Sequence, residues 1–394
     1  MSKRGHLPLL GALMALVPIT IDAYLPSLPN IEHDFSTSTT LVQFTVLACL
    51  IGSATGQLFV GSISDTIGRK PTLMYGLSLF IIISILAAIA PNIWIYLVLR
   101  YFQGVTSSVG TVLSRAVVRD LLDGTSAARA YSALMMVMGV APILSPLLGS
   151  ALLTVSSWRA IMIFLACYGL GMMILIALTL PETLPESRRI PANRKAKREA
   201  RSFIFRDPLF IMAVIGAGFG NGMLLVYLST SSFAFQNTFK ISPQLYSIFF
   251  AVNAIGIVLI TQVNRRLLLR YSPANLLRFG CGWGAFWTTC LVIYSHLHNP
   301  NLYVTAGLLV FVMSVIGFVL ANGISLATYH HADRAGTASG YFGAGQTFIG
   351  SIFGITSNLL GASMRAMSIE LVIPMLLAAA IVIPLLPRYQ PKSK

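Results

Sequence analysis

Charged side chains are absent from several long stretches of this chain, and the residues in those stretches are mostly apolar. A helix needs about 20 apolar residues to cross the hydrocarbon core of a bilayer. Each charge-free stretch is long enough for at least one such helix. The stretches cover residues 35–64, 71–99, 130–158, 208–239, 279–332 and 335–364. The pattern predicts a chain that spans a membrane many times as α-helices.

The hydrophobic segments divide into twelve predicted spans. The fold class we predict is an all-α membrane protein, with twelve transmembrane helices in two six-helix bundles. An even number of spans places both chain ends on the same side of the membrane. The predicted spans cover residues 7–29, 40–61, 72–90, 93–114, 130–153, 159–180, 208–233, 243–263, 273–294, 302–325, 337–361 and 368–386.

Composition supports a lipid environment, since 56% of the 394 residues are hydrophobic, only 10% are charged and the mean hydropathy is +0.78. A soluble domain has roughly a quarter of its residues charged. The formal net charge of +15 would suggest nucleic acid in a soluble protein, but here the basic residues gather in alternate loops and at both chain ends. That distribution predicts cytoplasmic termini. We expect a multi-pass protein of the bacterial inner membrane with no nucleic-acid partner.

The composition changes once, in residues 181–207, where proline and both charge signs interrupt the apolar pattern. We interpret this segment as a cytoplasmic linker between an N-terminal bundle, residues 1–180, and a C-terminal bundle, residues 208–394. Two bundles around a site at the middle of the membrane are typical of transporters. The basic residues of the linker suit a solvated segment beside an anionic leaflet, or a more specific binding site.

Asp22 is the only carboxylate that we place well inside a predicted span. An ionised carboxylate costs about 3 kcal/mol at the middle of a bilayer, so we expect Asp22 to face a cavity and to carry a proton. Pro18 and Pro26 lie on either side of the acid and should kink the helix there. The alternative is that Asp22 is an ordinary hydrated residue near the outer surface.

Polar residues in the fourth predicted span repeat at steps of three and four, which places them on one face of a helix. Such a face should line an aqueous cavity. Arg100 is permanently charged and needs a counter-charge or backbone carbonyls, and Asp22 is the candidate counter-charge if the first and fourth spans face each other. A purely structural buried pair is the alternative. The polar face consists of Arg100, Gln103, Ser107, Thr111 and Ser114.

Two further patterns predict parts that control conformation. The turn after the second span contains glycine for a tight bend, with an acid and two bases that can pair with neighbouring helix ends. The fifth span has two prolines and two glycines on one face, which suits close packing, a hinge or a seal against ions. The residues of these conformational gates are Gly61, Asp65, Gly68, Arg69 and Lys70 in the turn, and Gly139, Pro142, Pro146 and Gly149 in the span.

The predicted proton-coupling residues are Asp22 and Arg100. A substrate cavity would use both of them, Tyr24 and the polar face of the fourth span, completed by polar and aromatic residues of the C-terminal half. The candidates in that half are Asn221, Tyr227, Asn253, Tyr341, Phe342 and Gln346.

Several of these segments resemble the major facilitator superfamily, over essentially the whole chain. GSISDTIGRK, residues 61–70, is similar to that family's signature loop, and LRYFQG, residues 99–104, is similar to its fourth-helix basic motif. GVAPILSPLLG, residues 139–149, is similar to the fifth-helix pattern of drug–proton antiporters, although Ser150 stands where a second glycine is common. The combination that resembles the bicyclomycin-resistance (Bcr/CflA) branch is IDAYLPSLP, SRAVVRD, SWRA, PETLP and AGTAS.

The resemblance implies the major facilitator fold and export of a small amphipathic compound or drug in exchange for protons. It also implies that Asp22 and Arg100 match the membrane-embedded charges of the branch. In the second half, Asn264, Arg265 and Arg266 stand in place of a full copy of the signature loop. We expect a monomer without a cofactor. The alternative on the same fold is a dedicated exporter of a native metabolite, such as a siderophore, an amino acid or a sugar derivative.

An intramembrane enzyme is a third class of function, but the chain has neither an H-E-x-x-H nor a G-x-S-x-G motif. His330, His331 and Asp333 resemble a metal site only superficially, because they lie in a short turn without further ligands. We interpret that turn as a solvated loop that binds no metal. The sequence therefore predicts a secondary active transporter.

Overall fold

The computed structural model describes residues 7–122, 124–188, 204–297, 300–331, 335–357, 361 and 363–386. Throughout these ranges the regular structure is helical, with no strand. In a helix the backbone N–H and C=O groups are hydrogen-bonded to one another, whereas a loop or an open sheet edge in lipid would leave such groups without partners. A single membrane-crossing segment is therefore expected to be helical. The predicted all-α class is confirmed.

The helices are numbered here in chain order. The first seven are α1 (Leu7–Asp22), α2 (Leu28–Asp34), α3 (Thr39–Ile67), α4 (Arg69–Ala88), α5 (Ile93–Leu121), α6 (Gly124–Val155) and α7 (Arg159–Thr179). The others are α8 (Pro208–Phe239), α9 (Pro243–Leu267), α10 (Pro273–Ser295), α11 (Leu302–Tyr329), α12 (Ala335–Thr356) and α13 (Met364–Leu385). Because α1 and α2 together form the first span, these helices correspond to the twelve predicted spans.

Within the residues that the structure describes, ten segments are long and apolar enough to cross a membrane, with Leu7–Asp34 counted as one segment. The remaining two long helices are α5 and α12. Helix α5 is less apolar because it carries Arg100 and the polar face around it, and α12 is rich in glycine, serine and threonine. Polar side chains at membrane depth need protein or water beside them instead of lipid, so these two helices are expected to face other helices.

Capping residues fix where several helices begin. The side chain of Asn92 accepts a hydrogen bond from the backbone N–H of Ile95 at 3.0 Å, and that of Asp207 accepts one from Leu209 at 2.9 Å. Pro208 occupies the first turn of α8, where its missing N–H costs nothing. Such caps satisfy backbone donors that the helix leaves free. The predicted and observed starts of α5 and α8 therefore coincide.

The chain divides into two compact units. The first unit contains Met1–Asn193 and Ser242–Ala251, and the second contains Arg194–Ile241 and Val252–Lys394. In the first unit, α3 packs against α5, α4 against α7, and α1 against both α5 and α6. In the second unit, α8 packs against α11, α12 and α13, while α10 packs against α11 and α13. The division into two bundles around a linker at residues 181–207 stays a prediction.

The first span is interrupted near its middle. Helix α1 ends at Asp22, a 3-10 helix follows at Leu25–Ser27, and α2 continues to Asp34. Pro18 lies inside α1, and Pro26 lies in the 3-10 helix. Proline lacks a backbone donor and clashes with the preceding turn. The kink predicted beside the acid is thus a full interruption of the α-helix, directly after Asp22.

Glycines allow α3 and α5 to approach until their backbones touch. A Cβ on Gly52 would collide with the carbonyl oxygen of Tyr101, and a Cβ on Gly104 would collide with the carbonyl oxygen of Cys49. Inside a bilayer the hydrophobic effect contributes little between helices, so small residues and close van der Waals packing hold them together. This contact fixes the position of α5 and of the polar residues that it carries.

Candidate functional site

Arg100 is completely buried within the first unit. Its Nη1 donates to Oε1 of Gln103, and its Nη2 donates to the backbone carbonyl oxygen of Thr20 at 3.1 Å. The guanidinium carbon lies 3.9 Å from the ring centroid of Tyr24, where the negative face of the ring attracts a cation. Two oxygen atoms and a ring face therefore hold the charge of Arg100.

The residues around Arg100 are themselves held in place. Nε2 of Gln103 donates to Oγ of Ser84 on α4 at 2.8 Å. The hydroxyl of Tyr24 lies 3.2 Å from Oγ1 of Thr45 on α3, and because Thr45 gives its own proton to a backbone carbonyl, Tyr24 is the donor. Connected polar groups of this kind restrict one another to a single arrangement. Arg100 is thus positioned by α1, α3, α4 and α5 together.

Asp22, at the end of α1, is only 5% exposed, which argues against a hydrated surface residue. Among the described residues, no group donates a hydrogen bond to its carboxylate, and no cation forms an ion pair with it. The predicted ion pair between Asp22 and Arg100 is therefore not present in this arrangement. Arg100 uses the backbone carbonyl oxygen of Thr20 on α1 instead.

The polar face of α5 packs against α1. Oγ of Ser114 donates to the backbone carbonyl oxygen of Leu10 at 2.9 Å, so the first and fourth spans do face each other. Ser107 donates to a carbonyl of its own helix at 2.8 Å. Oγ1 of Thr111 is buried without a hydrogen-bond partner. All members of this face are buried by the neighbouring helices, and their place in an aqueous substrate cavity stays a prediction.

The turn between α3 and α4 carries a network of ion pairs. Nη1 of Arg69 binds Asp65 at 2.7 Å, and its Nε binds Asp120 of α5 at 2.9 Å. Gly68 has a φ of 106°, a conformation that only glycine adopts easily. Gly61, the remaining glycine of the predicted gate, has room for a Cβ. Arg69 is 3% exposed and joins the turn to α5.

A third acid, Glu182, binds the backbone of the same turn. Its Oε1 accepts a hydrogen bond from the N–H of Arg69 at 3.0 Å, and its Oε2 accepts one from the N–H of Lys70 at 3.1 Å. Nζ of Lys70 donates to the carbonyl oxygen of Ala177 at 3.0 Å. A carboxylate at a helix N-terminus satisfies free N–H groups and faces the positive end of the helix dipole. The segment after α7 is thereby fastened to the start of α4.

Helix α6 closely approaches the interruption after α1. A Cβ on Gly149 would collide with the carbonyl oxygen of Ala23. Pro142 and Pro146 both lie inside α6, and each removes a backbone hydrogen bond. Pro146 and Gly149 are buried, whereas Gly139 and Pro142 are partly exposed. This geometry agrees with close packing, and a role as a hinge or seal stays a prediction.

Four of the C-terminal candidates form two separate pairs within the second unit. Nδ2 of Asn221 lies 3.4 Å from the backbone carbonyl oxygen of Gln346, and Nδ2 of Asn253 donates to the hydroxyl of Tyr227 at 3.2 Å. Asn253 and Tyr227 are buried. Oε1 of Gln346 is also buried and has no hydrogen-bond partner, so α12 carries a buried acceptor to which no donor is bound.

The other two candidates are aromatic residues of α12. The ring of Tyr341 lies 5.5 Å from that of Phe205, in an edge-on arrangement. Phe342 is buried and packs against Gly323 of α11. Both contacts are ones that structural packing produces, and the role of these rings in a substrate cavity stays a prediction.

The prediction that the loop after α11 is solvated is wrong for one of its two histidines, which is buried. His331 is 3% exposed, and its Nε2 lies 3.1 Å from Oδ2 of Asp207. Nδ1 of His330 lies 3.0 Å from the same oxygen. The reason is that Asp207 caps α8 with one oxygen and turns the other toward the imidazoles. Asp333 lies outside the described residues, and in the part of the chain that the structure describes no group of three or more His, Cys, Asp or Glu side chains is arranged to hold a metal ion.

Three acids in important positions escape sequence reasoning. Asp120 and Glu182 bind Arg69, although the sequence shows them only as charges near helix ends. The interpretation of Asp22 as the only carboxylate well inside a span is wrong, because α13 begins at Met364 and places Glu370 two turns inside it. The signal for Glu182 was the acid directly after an apolar helix, a position from which it can reach a neighbouring helix end.

Comparisons with known proteins agree with the fold. The Major Facilitator Superfamily description matches residues 10–355. The chain is 36% identical over 346 residues to an uncharacterized MFS-type transporter, YdgK, of Bacillus subtilis strain 168, covering 87% of this chain and 86% of that protein. It is 25% identical over 382 residues to a bicyclomycin resistance protein homolog of Haemophilus influenzae, covering 96% and 94%. The crystal structure of a D-xylose-proton symporter matches with a TM-score of 0.75 at 16% identity, covering 98% of each chain.

Proposed function

Because this chain belongs to the Major Facilitator Superfamily, and is a membrane transporter and not an enzyme, we propose that it is a proton-coupled antiporter exporting small amphipathic compounds or drugs from the cytoplasm. The observation that carries this proposal is the buried carboxylate of Asp22, which has no hydrogen-bond donor beside it at the interruption of the first span. The name of the Haemophilus relative associates that protein with bicyclomycin resistance, which supports a drug as the exported solute.

Asp22 is suited to bind and release a proton. A buried carboxyl group without a donor is far more stable as the neutral acid than as the anion, so the proton stays on Asp22 while its surroundings are closed. When the end of α1 opens to water, hydration stabilises the anion and the proton leaves. A solute that binds better to the deprotonated, open arrangement then exchanges with the proton.

Arg100 is the second coupling residue in this proposal. Its Nε is buried without a hydrogen-bond partner, while Nη2 binds the carbonyl of Thr20, two residues before Asp22. If an ionised Asp22 turns toward α5, this Nε offers it a charged donor, and charge-assisted hydrogen bonds are stronger than neutral ones. Arg100 therefore gives the anion a partner that the neutral acid does not need.

The cellular setting belongs to the same proposal. We place the protein in the bacterial inner membrane with both termini in the cytoplasm, because its basic residues gather in alternate loops. The working unit is a monomer of two bundles, residues 1–180 and 208–394, joined by the linker at residues 181–207. Its ligands are a small-molecule solute and protons, and it uses no cofactor.

Transport in everted membrane vesicles tests the proton coupling. A pH gradient with an acidic interior should drive accumulation of a fluorescent amphipathic substrate, and Asp22→Asn should abolish this accumulation because an amide does not ionise and cannot bind and release the coupled proton. Asp34→Asn is a matched control, since Asp34 is 40% exposed and pairs with Arg159, and it should leave coupling unchanged. Full gradient-driven transport by Asp22→Asn would show that Asp22 is not the proton carrier.

A growth-inhibition screen tests the choice of solute. The chain is expressed in a strain that lacks its main efflux pumps, and protection against several unrelated compounds is expected. Protection against a single biosynthetic product would replace drug export with the dedicated export of a native metabolite.

A further inference from the structure

A second carboxyl group, that of Glu370, is buried in α13 of the second unit. The residue is 4% exposed, and both of its carboxylate oxygens are buried without a hydrogen-bond partner. Glu370 is the seventh residue of α13, which places it about 9 Å along the helix axis at a rise of about 1.5 Å per residue. The coupling proposed for Asp22 makes no use of this acid.

The helices packed against α13 provide no cation for Glu370. Helix α8 has no Asp, Glu, Lys or Arg, and α10 has only Arg278, which donates to a backbone carbonyl at the far end of α13 at 2.6 Å. Arg365, on α13 itself, donates to a backbone carbonyl of α10 at 3.3 Å. The other titratable groups on these neighbours are Tyr227 on α8, Cys281, Cys290 and Tyr294 on α10, and His296 just after α10. None of these groups donates a hydrogen bond to Glu370.

An anion in this position would have neither water nor a donor to stabilise it. The penalty for burying an unpaired charge is several kcal/mol even after the protein relaxes, whereas a neutral carboxylic acid avoids most of it. The buried state of Glu370 therefore requires a bound proton. An organic or metal cation does not fit, because oxygens with no exposed surface leave no room for it, while a proton needs no cavity.

We propose that Glu370 is a second proton-binding site, which keeps its proton while α13 is packed against α8 and α10 and loses it when that packing opens to water. On release the O–H bond breaks, the electron pair stays with the carboxylate and the proton passes to a water molecule. The site needs neither Asp22 nor export, since it rests on the surroundings of Glu370 alone. In a proton-driven transporter, it would add a proton to those exchanged through the first unit.

Infrared spectroscopy of the purified protein in lipid bilayers tests this site. Isotope labelling of the glutamate side-chain carboxyl groups shifts only glutamate bands, so a shifted C=O band of a protonated acid at neutral pH identifies a neutral glutamate. We expect this band in the natural chain and in Asp22→Asn, and its loss in Glu370→Gln. Glu186→Gln removes an exposed glutamate and should leave the band unchanged.

Two results would overturn the proposal. One is the absence of a protonated-glutamate band at neutral pH in the natural chain, which decides the question even if Glu370→Gln does not fold. The other is survival of the band in a folded Glu370→Gln. Because the measurement involves no transport, a failure of gradient-driven export in vesicles leaves its outcome untouched.

Discussion

Oε1 of Glu182 accepts a hydrogen bond from the backbone N–H of Arg69 at 3.0 Å, across 113 positions of the chain. The side chain of Arg69 meanwhile binds Asp65 and Asp120. One residue therefore connects the end of α3, the end of α5 and the segment after α7. Backbone and side chain serve different partners, so the two sets of bonds can be tested separately.

Glu182→Ala should lower the free energy of unfolding by about 1 kcal/mol, because two N–H groups at the start of α4 lose their acceptor. The measurement is the midpoint of thermal unfolding of protein purified in detergent. Glu186→Ala is the control, since Glu186 is exposed like Glu182 but is not the acceptor of these two N–H groups, and it should shift the midpoint less. Equal shifts in the two variants would mean that the contact of Glu182 with α4 does not stabilise the protein.

Arg69→Lys should reduce transport several-fold at unchanged expression. A lysine has a single ammonium group and cannot bind two carboxylates in the directions that the guanidinium uses. Lys70→Arg should be tolerated, because Lys70 makes one side-chain bond to a carbonyl oxygen. Initial efflux rates in intact cells compare the variants, and a natural rate in Arg69→Lys would contradict the role of the paired carboxylates.

Gln103→Leu should destabilise the first unit by about 2 to 4 kcal/mol, because it removes the acceptor of a buried Arg100 donor and also the donor to Ser84. Ser84→Ala removes only one neutral bond and should cost about 1 kcal/mol. Thermal unfolding of both single variants and the double variant measures the coupling. Simple addition of the two effects would show that the hydrogen bond between them contributes nothing.

Gly104→Ala should destabilise the protein by about 1 to 3 kcal/mol, since the new methyl group forces α3 and α5 apart. Gly171→Ala is a matched control in α7, because no atom lies within 4 Å of a Cβ placed there. That substitution should be neutral or slightly stabilising, as alanine favours helix more than glycine. The thermal midpoints of the two variants are compared. Equal effects at both sites would show that the steric contact between α3 and α5 does not contribute and that helix propensity alone accounts for the change.

The positions of the helices were predictable because their causes are local. A charge-free apolar run sets the length of a span, and a cap such as Asn92 or Asp207 sets its first residue. The error in the last span has the same origin, since Ser363 caps α13 and lies before the apolar run begins. That shift moved Glu370 from the edge of a predicted span into the body of a helix.

The partners of the charged residues were not predictable, because they lie far apart in the chain. The sequence predicts that Arg100 binds either backbone carbonyls or an anion. It does not predict which of the two, because that depends on where α1 ends. The carbonyl of Thr20 points toward α5, while Asp22 stands at the interruption that follows. Likewise, Glu182 is a loop residue by sequence and a helix cap by structure.

The contact between α3 and α5 has a mechanical consequence. At Gly52 and Gly104 no layer of side chains separates the two backbones. Because the helices cannot slide past each other without backbone collisions, we expect α3 and α5 to move together as a rigid pair. Deformation of the first unit has to concentrate where the helical hydrogen bonding is already broken, which is after Asp22 and at the prolines of α6. The acid proposed to carry the proton thus stands at that break in the helix, where we expect a rotation of α1 relative to α2 to expose it to water.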